Sequence, residues 1–156
     1  MSNTVTPALS RRQALSLGAR ALGAAVVSGS VVPAYATNDA VELIRRFTDG
    51  KWPTRGRVEL DLPEIVTNGN TVPLVVSVES PMTETSHVTD VLVVADGNPC
   101  GGVAAFHFSA ASGAARVRTR IRLTSAQEVI AVAKMNDGSC YVDSVYVRVA
   151  LGGWSL

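Results

Sequence analysis

Apolar and polar residues alternate along most of this chain, and the alternation predicts a β-protein. From Arg57 onward the apolar positions recur every second residue, as they do in half-buried strands. Seven segments have this pattern, with predicted bounds 58–62, 72–79, 87–95, 103–109, 115–123, 128–135 and 140–151. No helical pattern separates them, which argues against a parallel sheet.

Turn residues lie between the predicted strands. They include Asn68-Gly69-Asn70, Asp96-Gly97-Asn98-Pro99, Ala111-Ser112-Gly113 and Asn136-Asp137-Gly138-Ser139. Such residues tolerate positive φ or hydrogen-bond their own backbone. Short strands with turns at this spacing predict an all-β, immunoglobulin-like antiparallel β-sandwich of about seven strands. A closed barrel is the alternative, because periodicity does not count sheets.

One short helix is predicted before the strands, over residues 39–48. Asp39 and Glu42 match a capping box, in which each side chain accepts a backbone N–H of the first turn. The apolar face of the helix is predicted to consist of Val41, Ile44 and Phe47, with Leu43 beside them.

The first 36 residues have the pattern of an export signal. Adjacent Arg11 and Arg12 precede an apolar stretch, and Ala34-Tyr35-Ala36 supplies the small residues that a signal peptidase reads. Paired arginines are typical of the Tat pathway. We therefore expect a periplasmic protein cleaved after Ala36. A retained membrane anchor is less favoured, because glycines, serines and Arg20 interrupt the apolar stretch.

Cleavage after Ala36 changes the charge of the protein. The whole chain has 14 Lys and Arg and 13 Asp and Glu residues. Because Arg11, Arg12 and Arg20 lie in the signal, the mature part has 11 basic and 13 acidic residues and a net charge of −2. This balance does not indicate nucleic-acid binding.

The mature length fits one domain. Residues 37–156 number 120, which is enough for one hydrophobic core and too few for two. The predicted organisation is a signal at 1–36, a helix and linker at 37–55, a sandwich at 56–151 and a flexible tail at 152–156.

Several segments of the mature chain carry a resemblance to a known family. They are residues 56–73, Ser80-Pro81-Met82-Thr83, Gly97-Asn98-Pro99, and the segments 105–109, 119–123, 129–133 and 137–139. Together they resemble SoxY, the sulfur-carrier subunit of bacterial thiosulfate oxidation. The resemblance implies an immunoglobulin-like subunit that forms a heterodimer with SoxZ. It also implies a carrier that acts with separate Sox enzymes, without catalytic residues, cofactor or metal of its own.

The C-terminal tail departs from the family at one position. In SoxY, sulfur intermediates are held on the cysteine of a Gly-Gly-Cys-Gly-Gly arm. Here Gly152 and Gly153 are followed by Trp154 at the cysteine position. Covalent carrying needs a thiolate, which is both nucleophile and leaving group, and an indole is neither. The carrier role therefore does not transfer to Trp154; a substitution and a terminal frameshift both remain open as explanations.

Two cysteines remain in the mature chain. Cys100 lies in a glycine-flanked loop that we expect to be flexible and to share an end of the domain with the tail. The favoured interpretation of Cys100 is an exposed turn residue without a chemical role, and a substitute thiol is the alternative. Cys140 is expected to be partly buried. A disulfide between them is disfavoured, because their loops are predicted at opposite ends of the sandwich.

Four arginines are predicted to share one sheet face: Arg116, Arg118, Arg120 and Arg122. A solvated outer face is the favoured interpretation. The alternative is a docking surface for an acidic partner or for anionic sulfur species. His87 and His107 have no Cys or carboxylate at ligand-like spacing, so no metal site is predicted.

Three functions are compatible with these observations. The first is a SoxY-like subunit of a sulfur-oxidation system that retains its partner. The second is a divergent, non-carrier paralogue that acts as a binding or scaffolding module, with Trp154 as an apolar anchor. The third is an unrelated exported sandwich, which the breadth of the resemblance makes least favoured.

Overall fold

The computed structural model describes residues 38–150, which form one α-helix, a short 3-10 helix and nine strands. Helix α1 spans Ala40–Phe47. The strands are β1 Thr54–Arg55, β2 Val58–Asp61, β3 Ile65–Val66, β4 Val72–Val78, β5 Val88–Ala95, β6 Gly102–His107, β7 Ala115–Ile121, β8 Gln127–Met135 and β9 Cys140–Val149. The 3-10 helix is Ala110–Ser112. The predicted signal and tail lie outside the described residues.

Two separate sheets make up the domain. The larger has the order β1-β9-β8-β5-β6, with β3 also paired to β9, and the smaller has the order β2-β4-β7. Most pairs are antiparallel, but β1 and β3 run parallel to β9. The predicted all-β sandwich is confirmed, and the barrel alternative is wrong for the described residues.

The two strands that the sequence pattern missed are short. β1 and β3 have two residues each and pair with opposite ends of β9, at Tyr141 and Arg148. Between them the chain crosses to the smaller sheet to form β2. The backbone N–H of Leu60 in β2 donates to the Asp143 carboxylate of β9 at 3.0 Å. This hydrogen bond joins the two sheets at their common edge.

The core lies between the sheets and is rich in valine. Alternate residues of β4 are buried, as the period of two predicts. The most buried side chains of this core include Val72, Leu74, Val88, Val93, Val129 and Val147. β-branched side chains pack well on the pleated surface of a sheet, so the same residues favour both strand formation and core packing.

Helix α1 packs against β5 on the outer face of the larger sheet. On this face Val94 and Val132 are fully buried outside the inter-sheet core. The buried helix residue is Ala40, whereas Val41 is 79% exposed. Val41 therefore shares an apolar surface with Ile44, as predicted, but this surface is open to solvent at Val41. Among residues 38–150, no helix has the length and hydrophobicity needed to cross a bilayer.

The predicted capping box is also wrong. The Asp39 side chain makes no hydrogen bond to the first turn of α1. Its Oδ1 instead accepts the backbone N–H of Gly101 at 2.7 Å. The Glu42 carboxylate pairs with Arg45 and Arg46, which lowers the pKa of Glu42 to about 2. The Asp39 carboxylate thus makes a tertiary hydrogen bond to Gly101 instead of the local hydrogen bond that the capping box predicts.

Candidate functional site

The C-terminal end of β9 lies at the same end of the larger sheet as the loop that holds Cys100, with β8 between them. Val147 in β9 is opposite Gln127, near the start of β8. Ala95, at the end of β5, is opposite Val129 in the same part of β8. β9 thus ends at the end of the domain that holds Cys100, and the expectation that the tail shares this end stays a prediction. The arm residues Gly152, Gly153 and Trp154 lie outside the described residues.

The Cys100 loop is held by hydrogen bonds on both sides. The Asn98 side chain donates to the Arg122 carbonyl at 3.0 Å and accepts the Thr124 N–H at 3.1 Å. Gly101 is buried: its N–H donates to Asp39, and its carbonyl accepts the Ala95 N–H at 2.8 Å. Cys100 itself is exposed. The loop therefore has less freedom than its glycines predict, and Cys100 as a substitute thiol stays a hypothesis.

Cys140 lies at the other end of the domain, at the start of β9. Both cysteines are free, and the nine residues of β8 separate their two loops by about 30 Å. The disfavoured disulfide is thus confirmed to be absent between Cys100 and Cys140. Cys140 is 7% exposed, and its burial raises the pKa of its thiol. It is a packed apolar residue, as predicted.

Three of the four arginines, Arg116, Arg118 and Arg120, lie on β7, an edge strand of the smaller sheet, and Arg122 directly follows the strand. All four side chains are exposed, and the residues between them are half-buried or buried. We call Arg116, Arg118, Arg120 and Arg122 the arginine row. The predicted common outer face is present; whether it is merely solvated or binds a partner stays a prediction.

The two histidines make separate local contacts. His107 Nδ1 lies 2.5 Å from Asp90 Oδ1 on the exposed side of β6. His87 Nδ1 lies 2.9 Å from the Thr83 carbonyl oxygen. Within residues 38–150, no three His, Cys, Asp or Glu side chains are grouped so that they could hold a metal ion. These histidines thus have structural partners on the surface of the larger sheet and the loop before it.

An apolar groove that the sequence did not predict lies between α1 and the outer face of β8 and β9. Its walls and floor include Val41, Ile44, Trp52, Ile130 and Val142, and its volume is about 460 Å³. We call this surface the helix groove. Arg45 and Lys51 lie at its margin.

The helix groove exposes side chains that water does not favour. Trp52 is 96% exposed and Val41 79% exposed. Exposed apolar groups clustered in one concave surface are typical of binding sites. The sequence shows Trp52 in the linker and Val41 in the helix, but neither residue indicates from the sequence alone that its side chain is exposed. Exposure depends on how α1 sits on the sheet.

The chain belongs to the SoxY family. The model of the sulfur oxidation protein SoxY matches residues 44–153, which include both glycines of the arm and end before Trp154. The resemblance inferred from the sequence motifs is therefore confirmed. No curated protein matches the chain.

Solved structures show the same fold. The chain is similar to the sulfur carrier protein SoxY from Chlorobium limicola f thiosulfatophilum, with 22% identity and a TM-score of 0.58, over 71% of this chain and 96% of that one. It is also similar to a superoxide reductase (Neelaredoxin) from Ignicoccus hospitalis, with 15% identity and a TM-score of 0.55, over 61% of this chain and 81% of that one. A putative superoxide reductase from Thermotoga maritima has 21% identity and a TM-score of 0.51, over 67% and 90%. At these identities the likeness concerns the fold alone.

Proposed function

We propose that this chain is a periplasmic SoxY-type subunit of a thiosulfate-oxidation system that forms a heterodimer with a SoxZ-like subunit and carries no covalent sulfur on its arm. The observation that carries the proposal is the SoxY family match up to Gly153, followed by Trp154 at the carrier position. The fold and arm glycines are those of a carrier subunit, but the nucleophile is missing.

The absence of a thiol at Trp154 decides the chemistry of the arm. Sulfur carrying requires a thiolate that attacks the incoming sulfur and later leaves. An indole ring forms neither a persulfide nor a thiosulfonate, because both adducts require a sulfur atom on the protein side chain. Cys140 does not replace the thiol, because it is buried at the far end of the domain. The protein is a binding subunit and not an enzyme.

Export supports the periplasmic part of the proposal. Paired Arg11 and Arg12, the apolar stretch and the Ala34-Tyr35-Ala36 site are those of a Tat signal cleaved after Ala36. Other proteins of the sulfur-oxidation system are the partners that the family implies in this compartment.

The helix groove supports the pairing part of the proposal. A free-standing domain gains nothing from a tryptophan that is 96% exposed, whereas a subunit interface does, since tryptophan is enriched at hot spots. Lys51, which lines the groove, donates to the Gly138 carbonyl at 3.3 Å and forms no ion pair among the described residues, so it would complement an acidic rim on the partner. We therefore assign the SoxZ-like subunit to this groove.

Co-expression of the full chain with a SoxZ-like subunit tests the pairing. We expect a one-to-one complex by size-exclusion chromatography with light scattering. Trp52→Ala should weaken the complex by at least about 2 kcal/mol, as hot-spot truncations do. Its free energy of unfolding should change by no more than about 0.5 kcal/mol, because the side chain is exposed.

Ile65→Ala is the matched control for this experiment. Ile65 is also an exposed large apolar residue, but it lies on β3, outside the helix groove. It should leave the affinity unchanged. A wild-type protein that stays monomeric beside the SoxZ-like subunit would refute the pairing, and equal losses from both variants would refute the assignment to the groove.

A non-carrier scaffolding role is the second candidate function. It is favoured by the same residue, Trp154, since a glycine-linked indole suits insertion into an apolar pocket. Truncation after Gly153 distinguishes the two candidates. A scaffold would lose affinity for its partners on truncation, whereas a degenerate carrier arm would not contribute to it.

A further inference from the structure

The outer face of the smaller sheet carries an uncompensated row of positive charge. Neighbouring guanidiniums of the arginine row stem from alternate residues, so their Cα atoms are about 7 Å apart and the row is about 20 Å long. The mature chain has 11 basic residues and a net charge of −2, and four of the 11 lie in this row. The row is therefore strongly positive, although residues 37–156 as a whole have a net negative charge.

No carboxylate in residues 38–150 neutralises these arginines. The four ion pairs of the described residues involve Glu42, Asp49 and Asp90, not the arginine row. Acidic side chains on the same face are Glu79, which follows β4 two residues after Ser77, and Glu59 and Asp61 on β2. Glu79 is a diagonal neighbour of Arg116, at about 7–8 Å between Cα atoms, and forms no ion pair with the row. Glu59 and Asp61 are separated from the row by β4, two strand spacings or about 10 Å away.

The edge of β7 is open to a further strand. β7 pairs with β4 on one side, and among the described residues no strand pairs with its other side. An edge strand presents alternate N–H and C=O groups to any extended segment. Charged side chains that point inward would block such an addition. Here the inward-facing residues are uncharged: Val117, Thr119 and Ile121.

We propose that the open edge of β7 binds an extended acidic segment of a partner protein, which adds as a further strand and places carboxylates at alternate positions against the arginine row. Arginine and carboxylate form bidentate hydrogen bonds whose planar geometry matches. Strand addition supplies the backbone hydrogen bonds, and the row supplies the selectivity for acidic residues at every second position. A small oxyanion would occupy one or two guanidiniums and leave the others uncompensated.

This surface is separate from the helix groove. The arginine row lies on the outer face of the smaller sheet, and the helix groove on the outer face of the larger sheet. The inference therefore goes beyond the pairing proposed above, and each can fail without the other.

The test uses the full chain and a short synthetic peptide in which glutamate alternates with valine. We expect saturable binding that weakens as salt is raised, together with new hydrogen-exchange protection of β7 amides. A peptide of the same length with lysine in place of glutamate should not bind.

Two double variants localise the binding. Arg118→Glu with Arg120→Glu should weaken it at least about tenfold, because repulsion replaces two charge-assisted contacts. The matched control is Arg55→Glu with Arg148→Glu, which reverses two exposed arginines on β1 and β9 of the larger sheet. The control should retain the affinity of the wild type.

Three results would overturn the proposal. The wild type could fail to bind the acidic peptide, or both double variants could lose affinity equally. Heparin could also bind through the arginine row while the acidic peptide leaves β7 amides unprotected, which would indicate a general polyanion surface instead of a strand-binding edge.

Discussion

At the scale of single residues, the two cysteines, Cys100 and Cys140, differ in their capacity to react. Cys140 is buried at the start of β9, and burial raises the pKa of its thiol, so thiolate is scarce there at neutral pH. Cys100 is exposed on a loop between Pro99 and the anchored Gly101. A reagent that must reach the sulfur atom and that reacts only with a thiolate should therefore modify Cys100 in preference to Cys140.

Alkylation of the native protein should modify Cys100 and spare Cys140. Peptide mass spectrometry after iodoacetamide treatment at neutral pH reads the two sites separately, and urea-unfolded protein is the control in which both react. Because burial raises the pKa of Cys140, its labelling in the native state should begin at a higher pH than its labelling in the unfolded protein. Equal modification of both thiols at neutral pH would contradict the burial of Cys140.

The same pKa shift fixes the sign of one stability effect. A thiol whose pKa is raised in the folded state ionises first in the unfolded chain. Its contribution to the free energy of unfolding is complete below the ordinary value of 9.0 and is lost as the pH rises through the folded-state value. Cys140→Ala should therefore lose less stability than the wild type in strongly alkaline solution.

At the scale of elements, α1 is positioned by its contact with the Cys100 loop. A Cβ atom on Gly101 would lie 2.4 Å from the backbone nitrogen of Ala40, which neither backbone can accommodate without moving. The Asp39 carboxylate accepts the N–H of the same glycine. Because α1 also forms one wall of the helix groove, this contact determines the shape of the groove.

Gly101→Ala should destabilise the protein by about 1–3 kcal/mol, the usual cost of overpacking. It should also weaken binding of the SoxZ-like subunit, because α1 must shift. Gly102→Ala is the matched control, since its Cβ would meet only the flexible Leu43 side chain at 3.2 Å. Urea unfolding measures both variants. Equal stability of the two would show that α1 does not depend on the close approach at Gly101.

The elements were predictable to the extent that their residues have a regular pattern. The seven segments of alternating residues are all strands, with ends within about two residues of the predicted ones. β1 and β3 were missed because two residues cannot display a period, and their pairing with β9 is a long-range event. The capping box failed for a related reason: Gly101, 62 residues away along the chain, binds the carboxylate of Asp39.

The candidate surfaces were predictable to different degrees. The arginine row follows directly from the alternation in β7, because strand residues two apart share a face. The helix groove was missed, because Trp52 gives no sign in the sequence of being exposed. Trp52 lies in the linker between α1 and β1, and its exposure depends on tertiary packing that a local sequence pattern does not encode.

At the scale of the whole molecule, the sandwich presents two different outer faces. The larger sheet carries α1 and the apolar helix groove, and the smaller sheet carries the arginine row. A domain of this kind can bind two partners at once, with the SoxZ-like subunit on one face and an acidic strand on the other. β9, the last strand of the described residues, ends at the end of the domain that also holds the Cys100 loop.

Family membership and the arm sequence together define the central claim. The SoxY match extends through Gly153, so the frame of a carrier subunit is present. The next residue is Trp154, and we propose that it stands where the family has the cysteine that bears the sulfur. We propose that this subunit pairs with a SoxZ-like subunit, as a carrier does, but holds no covalent sulfur on its arm.

Intact mass spectrometry tests this claim most directly, on the protein isolated from the periplasm with its SoxZ-like partner during thiosulfate oxidation. We predict co-purification of the two subunits and, for this chain, the unmodified mass of residues 37–156. A sulfane or sulfonate adduct on this chain would contradict the claim, and so would recovery of the chain without any SoxZ-like subunit.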